Sequence, residues 1–166
     1  MAHTDEKVCL TVVCFLTREH KVLLANHPAY NTWLPVGGHI DPGEDPEEAL
    51  FREIEEETAL GTSDVRIFGG KPHVPTDEAQ RRASLFTPSF VDRHNVGERD
   101  HVAFVYFGEV VNGREALKSS EHKDLQWFSA DDLARNTEGF KPDIVWYALR
   151  ALEVAKADNA VGPSLH

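Results

Sequence analysis

Apolar and polar positions along this chain change period several times, and the changes mark its elements. Residues 8–16 are β-branched, aromatic or otherwise apolar almost throughout, as in a strand buried on both faces. The polar Arg18, Glu19 and His20 suit a turn, and a second apolar run at 21–25 predicts a hairpin. Residues 33–36 read as extended, with Pro35 near a strand end. Gly37-Gly38 then opens an expected loop that ends at Glu44. Residues 45–60 give the clearest helix. Asp45 is a good N-cap, Pro46 suits the first helical position and Glu48 completes a capping box. Leu50, Phe51 and Ile54 share one arc of that helix, which should face the core.

Further strands are expected at 65–68, 85–91, 101–111 and 125–128, with a polar loop at 92–100. Ser129 would cap a short helix at 130–135. A longer helix at 141–156 shows its period through Ile144, Ala148, Leu149 and Leu152. Strands and helices are mixed without a linker or a repeat. The expectation is one α/β domain over residues 1–166, with a core at about 8–155, a mixed sheet and helices packed on it. The tail from 157 to 166 is expected to be mobile.

Composition changes this picture mainly through charge. Apolar residues make up 41% and charged residues 27%, as in an ordinary soluble domain. The formal net charge of −11 opposes a general basic face for a nucleic-acid duplex. That charge is concentrated: nine acidic residues lie between 41 and 57, where Arg52 is the sole base. Cys9 and Cys14 have a spacing that places them on opposite faces of a strand, so they read as unbridged apolar residues of a reducing compartment. No Cys/His spacing resembles a zinc site. No segment reads as a signal peptide or a membrane span, and a cytoplasmic location is expected.

The acidic helix carries the chemistry. At about 100° per residue, Glu53, Glu56 and Glu57 fall within an arc of roughly 100°. Like charges at this spacing cost about 0.2–0.5 kcal/mol per pair even when exposed. A hard divalent cation reverses that cost, because it prefers carboxylate oxygens. A solvated acidic face would explain an arbitrary Glu-rich helix. Here Gly37-Gly38, which admits close backbone approach, and Arg52, at i,i+4 from both Glu48 and Glu56, weigh toward a metal cradle.

The spacing Gly38-x5-Glu44-x7-Arg52-Glu53-Ile54-x-Glu56-Glu57 resembles the Nudix box. Trp33 to Gly37 is similar to its usual lead-in, and Trp127-Phe128 before a short helix is similar to the family's C-terminal part. The match is tight over 33–60 and loose over 8–155. One position departs: Ala59 stands where the family has Gly, so either Ala adopts a left-handed conformation or the helix runs on to Gly61. The resemblance implies a Nudix-like α/β/α sandwich with a mixed central sheet. It also implies metal-dependent hydrolysis of a phosphoanhydride in a nucleoside triphosphate or a nucleoside diphosphate linked to another moiety.

On that resemblance Glu53, Glu56 and Glu57, with the Gly38 carbonyl, would hold Mg²⁺ or Mn²⁺. Glu53 or a glutamate outside the box would act on the attacking water, and Arg52 and Glu44 would hold loop and helix together. Glu98 and Glu121 are candidates for a further carboxylate. Arg81, Arg82, Arg93 and Arg99 are candidates for phosphate contacts, with surface solubility as the plainer role for at least two. His39 is a candidate substrate contact, His101 starts a strand and suits core or surface equally, and Trp33, Trp127 and Trp146 read as core. The expected partner is a small-molecule nucleotide, not a membrane; a homodimer is left open, since no feature specifies one. Two other readings are a catalytically silent nucleotide-binding regulatory module and an isomerase acting on an isoprenoid diphosphate. The retained glutamates oppose the first, and the absence of an evident catalytic cysteine opposes the second.

Overall fold

The computed structural model describes residues 8–74, 83–117, 119–120, 122–135 and 139–161. β1 (Val8–Arg18) organises the fold, because its alternate side chains feed two different cores. Val12, Cys14 and Leu16 face one side and Phe15 the other, and all four are fully buried. The first residues of the strand depart from the expectation of burial on both faces: Val8 and Leu10 are exposed.

β2 (Lys21–His27) follows a tight turn in which both Glu19 and His20 have positive φ, and the hairpin pairs Arg18 with Lys21. The expected single extended stretch near Trp33 divides at Pro35. β3 (Thr32–Leu34) pairs with β2, whereas β4 (Val36–His39) pairs with β1. Gly37 and Gly38 therefore lie within a strand rather than opening a loop. α1 (Pro46–Thr58) follows, then β5 (Val65–Ile67).

The expected strand at 85–91 and loop at 92–100 are replaced by β6 (Phe90–Val96), a two-residue turn at Gly97-Glu98, and β7 (Arg99–Val110). β6 borders the sheet, so a polar and largely exposed strand costs no desolvation there; this is why its hydropathy resembled a loop. β8 (Asp124–Ser129), α2 (Ala130–Arg135) and α3 (Pro142–Val161) complete the order. α3 runs past the expected boundary at 156, and residues 162–166 lie outside the described part.

Among the described residues the sheet has eight strands. β1 and β7 are parallel and adjacent over Val8–Thr17, and the other pairings are antiparallel, so the sheet is mixed. α1 covers one face through Ala49, Leu50 and Ile54, in a cluster with Val12, Cys14, Leu16 and Val36. α3 covers the other face through Ile144, Ala148, Ala151 and Ala155, and the small side chains of the three alanines let the helix pack close to the cluster that holds Phe15 and Phe107. Leu133 of α2 joins this second cluster. The result is the expected α/β/α sandwich. Trp33 and Trp127 pack partly buried against the two cores, but Trp146 is exposed, correcting its expected core position. No helix among the described residues is long and apolar enough to cross a membrane.

Candidate active site

The start of α1 is set by its cap. Asp45 Oδ1 accepts the amides of Glu47 and Glu48 at 2.8 and 2.9 Å, and Glu48 Oε2 accepts the Asp45 amide at 2.9 Å. With the first turn fixed, Ala49, Leu50 and Ile54 lock the rotation of the helix against the sheet. Glu53, Glu56 and Glu57 are thereby presented at the end of β4. Their environments differ. The Glu53 side chain is 12% exposed and that of Glu57 7%, while that of Glu56 is 53% exposed.

Burying a carboxyl costs several kcal/mol unless hydrogen bonds or charge offset it. Glu57 Oε2 accepts the Gly37 amide at 3.2 Å and lies 3.4 Å from His122 Nε2. Glu53 fills the space beside Gly38: a Cβ on that glycine would fall 2.3 Å from Glu53 Oε1. At Gly37, φ is +147° and a Cβ would fall 2.1 Å from the Val12 carbonyl oxygen. The Gly-Gly pair is thus required twice, once by the β1 backbone and once by a glutamate.

Arg52 ties these pieces together. Its Nε and Nη2 donate to the two Glu44 carboxylate oxygens at 2.7 and 2.9 Å in a two-pronged pair. Nη1 donates to Glu53 at 2.8 Å and to Glu56 at 3.2 Å, and Nη2 also donates to the His39 carbonyl at 2.9 Å. The loop carrying Glu44, the end of β4 and the face of α1 are therefore held by one guanidinium. The Arg52 guanidinium beside Glu44 holds that carboxyl down at about 2, and the same bond raises the Arg52 pKa. Glu48, also at i,i+4 from Arg52, is engaged in the cap instead.

Three carboxyl groups sharing one guanidinium, with a fourth buried alongside on the same helix, form an oxygen-rich donor set with an excess of acidic groups. That set suits a hard divalent cation. The glycine-lined cradle adds backbone that no side chain obstructs.

The helix ends as one of the two sequence alternatives required. Ala59 takes the left-handed conformation, with φ 58° and ψ 18°, and its amide reaches the Glu55 carbonyl at 2.8 Å. An alanine thus holds the left-handed cap conformation that favours glycine.

The other candidates are dispersed. His39 is exposed on the far side of Gly38, with its ring 5.0 Å from that of His101. Glu98 is exposed in the β6–β7 turn, and the half-buried Arg99 begins β7. Arg93 is paired with Asp100 across that hairpin. Arg81, Arg82 and Glu121 lie outside the described residues. Two features escaped the sequence. His122 is buried against Glu57, and nothing in its local sequence marks it. Cys9, His39 and His101 come from three different strands, yet they bring one donor atom each within 4.8 Å of one another. No linear Cys/His spacing could show that arrangement. Burial pushes the His101 imidazole pKa down, and His39, His94 and Arg99 add to the effect.

Comparison with known proteins places this geometry in a family. The NUDIX domain matches residues 7–149. The NAD-capped RNA hydrolase NudC of Haemophilus influenzae is 28% identical over 129 residues, covering 75% of this chain but 40% of that protein. This chain thus spans well under half the length of that relative. The RNA pyrophosphohydrolase of Photorhabdus laumondii is 45% identical over a shorter stretch of 56 residues, 34% of this chain and 31% of that protein. Among solved structures, a NUDIX-family hydrolase from Clostridium perfringens superposes with a TM-score of 0.73 at 30% identity, covering 88% of this chain and 97% of that one. A fold of this shape, with the box residues gathered from one strand end, the loop after it and one helix, and a domain match over most of the chain, identifies the protein as a member of the NUDIX family.

Proposed function

We propose that this protein is a divalent-metal-dependent pyrophosphohydrolase. Its substrate is a nucleoside triphosphate or a nucleoside diphosphate linked to another moiety, cut by water attack at phosphorus. The observation that carries this reading is the convergence of Glu53, Glu56 and Glu57 beside Gly37-Gly38, with Arg52 bridging Glu44, Glu53 and Glu56. The relatives named above support it, being by their names an NAD-capped RNA hydrolase and an RNA pyrophosphohydrolase. Nudix hydrolases generally need divalent ions, and Mg²⁺, with Mn²⁺ as a substitute, fits an all-oxygen donor set.

Glu53, Glu56, Glu57 and the Gly38 carbonyl would hold the metal. When bound, it neutralises diphosphate charge and makes water a better nucleophile. The protein's own part is preorganisation. Arg52 keeps Glu53 and Glu56 from splaying under mutual repulsion, so no reorganisation is needed when substrate arrives. The Gly37 amide and His122 hold the Glu57 carboxyl in one orientation. Glu53, the most enclosed of the three Arg52-bonded glutamates, orients or deprotonates the attacking water. Glu98 and Arg99, in and beside the β6–β7 turn, are the described side chains we assign to substrate binding, whereas His39 projects from the sheet face opposite Glu53.

The test is a hydrolysis screen over nucleoside triphosphates, nucleotide sugars and dinucleoside polyphosphates with Mg²⁺ or Mn²⁺. Glu57→Gln keeps an acceptor for the Gly37 amide and should retain the fold while lowering kcat by about 100-fold or more. Equal turnover in variant and parent would remove α1 from the mechanism.

A further inference from the structure

We infer that the protein carries a second metal site, for a thiophilic transition ion such as Zn²⁺, formed by Cys9, His39 and His101 on the sheet face opposite the acidic helix. The three donors sit on β1, β4 and β7, and strand register places them together. Cys9 lies beside His101 in the parallel β1–β7 ladder, and His39 lies beside Thr11, two residues along β1 from Cys9. Side chains two apart on a strand share a face. That face is the one carrying Phe15, Ala103 and Val105, packed against α3. Val12 and Cys14 point the other way, toward α1. Gly38 and His39 are successive strand residues, so a side chain at Gly38 would point to Glu53 while His39 projects from the opposite face.

The donor chemistry differs from that of the box. One sulfur and two imidazole nitrogens suit Zn²⁺, whereas an all-carboxylate set suits Mg²⁺ or Mn²⁺. The three donor atoms lie within 4.8 Å of one another. Around tetrahedral zinc, with bonds of about 2.0–2.3 Å, donors are separated by about 3.4–3.8 Å. Closing that difference takes roughly an ångström of side-chain movement, without a shift of the strands. His39 is exposed and Cys9 is half-buried, so an ion has a path in from solvent. His101 is half-buried, with its ring 5.0 Å from that of His39.

A fourth position is available from His94, which pairs with His101 across the β6–β7 ladder with ring centroids 5.7 Å apart, or from water. His94 Nδ1 is 2.8 Å from Asp92 Oδ1, and Asp92 in turn accepts the Tyr147 hydroxyl at 2.6 Å. A carboxylate on the second ring nitrogen is the usual support for a metal-ligating histidine. Bound there, the ion would tie the end of β4, next to Gly38, to β1 and β7.

The site is independent of the hydrolytic reading, and Co²⁺ separates the two, because the acidic helix offers no sulfur. The reduced full-length chain is titrated with Co²⁺ and followed by near-ultraviolet and visible absorption. The parent and Glu56→Gln should both develop a thiolate-to-cobalt charge-transfer band and four-coordinate ligand-field bands, abolished by equimolar Zn²⁺. Cys9→Ser should lose the charge-transfer band, and His101→Asn should bind Co²⁺ at least ten-fold more weakly. Circular dichroism checks that each variant is folded. A folded parent without a thiolate band overturns the site, and so does a band that persists in Cys9→Ser.

Discussion

At the scale of single residues, two backbone positions make opposite demands. Gly38 leaves space that Glu53 occupies, and a methyl group there would overlap the carboxyl at 2.3 Å. Gly38 has no positive φ, so alanine is tolerated by the backbone itself and displaces the glutamate instead. Gly38→Ala should therefore lower kcat about ten-fold or more while changing the melting temperature little, a split read by steady-state kinetics beside calorimetry. A displaced Glu53 carboxyl, rather than a weakened fold, would be the cause. Ala59 is the reverse case. It holds φ 58° without the freedom of glycine, a conformation that costs an ordinary L-residue about 1 kcal/mol or more. Ala59→Gly should raise unfolding free energy by about 1 kcal/mol in denaturant titration and leave activity unchanged. An unaltered or lowered midpoint would show that the alanine methyl packs well enough to offset the strain.

At the scale of elements, the loop before α1 is joined to the helix through Glu44 and Arg52. The folded Glu44 carboxyl is held at about 2, below its ordinary 4.5. Its contribution to stability is therefore fully present above about pH 4.5 and is lost as the pH falls through 2. Melting temperature followed from pH 6 to pH 2 should fall less steeply in Glu44→Gln than in the parent. Parallel curves would mean that the pair contributes no pH-dependent stability. The same element pair explains how α1 tolerates its acidic face: Arg52 offsets the repulsion among Glu44, Glu53 and Glu56, and the capping box places Glu47 and Glu48 at the helix N-terminus, where negative charge is favoured.

At the scale of the whole molecule, the two apolar clusters on either face of the sheet provide stability that does not depend on an ion in the acidic cradle. Removing divalent ions with EDTA should abolish hydrolysis without unfolding the chain, and added Mg²⁺ should restore it. Circular dichroism and activity measured on the same sample separate the two effects. Turnover that survives thorough chelation would refute the metal-dependent mechanism. The long parallel contact between β1 and β7 carries the fold, and it joins residues about ninety apart in sequence. That separation predicts slower folding than local contacts would allow.

What the sequence determined by itself was chiefly local. The capping box, the helical face of Glu53, Glu56 and Glu57, and the box spacing depend on neighbours within a few turns, so their periodicity is visible in one dimension. The mixing of strands and helices in one α/β domain followed from the same kind of pattern, and the sandwich from the resemblance of the box. Tertiary structure decided what depends on pairing between distant segments. β6 carries polar residues because it borders the sheet, and hydropathy cannot tell an edge strand from a loop. Gly37 and Gly38 became strand because β1 pairs with them. The left-handed Ala59 was one of two local options, settled only by the completed cap. Cys9, His39 and His101 meet across neighbouring strands, where register rather than sequence distance sets which side chains meet. His122, in the loop before β8, meets Glu57 of α1, and no spacing rule spans the two.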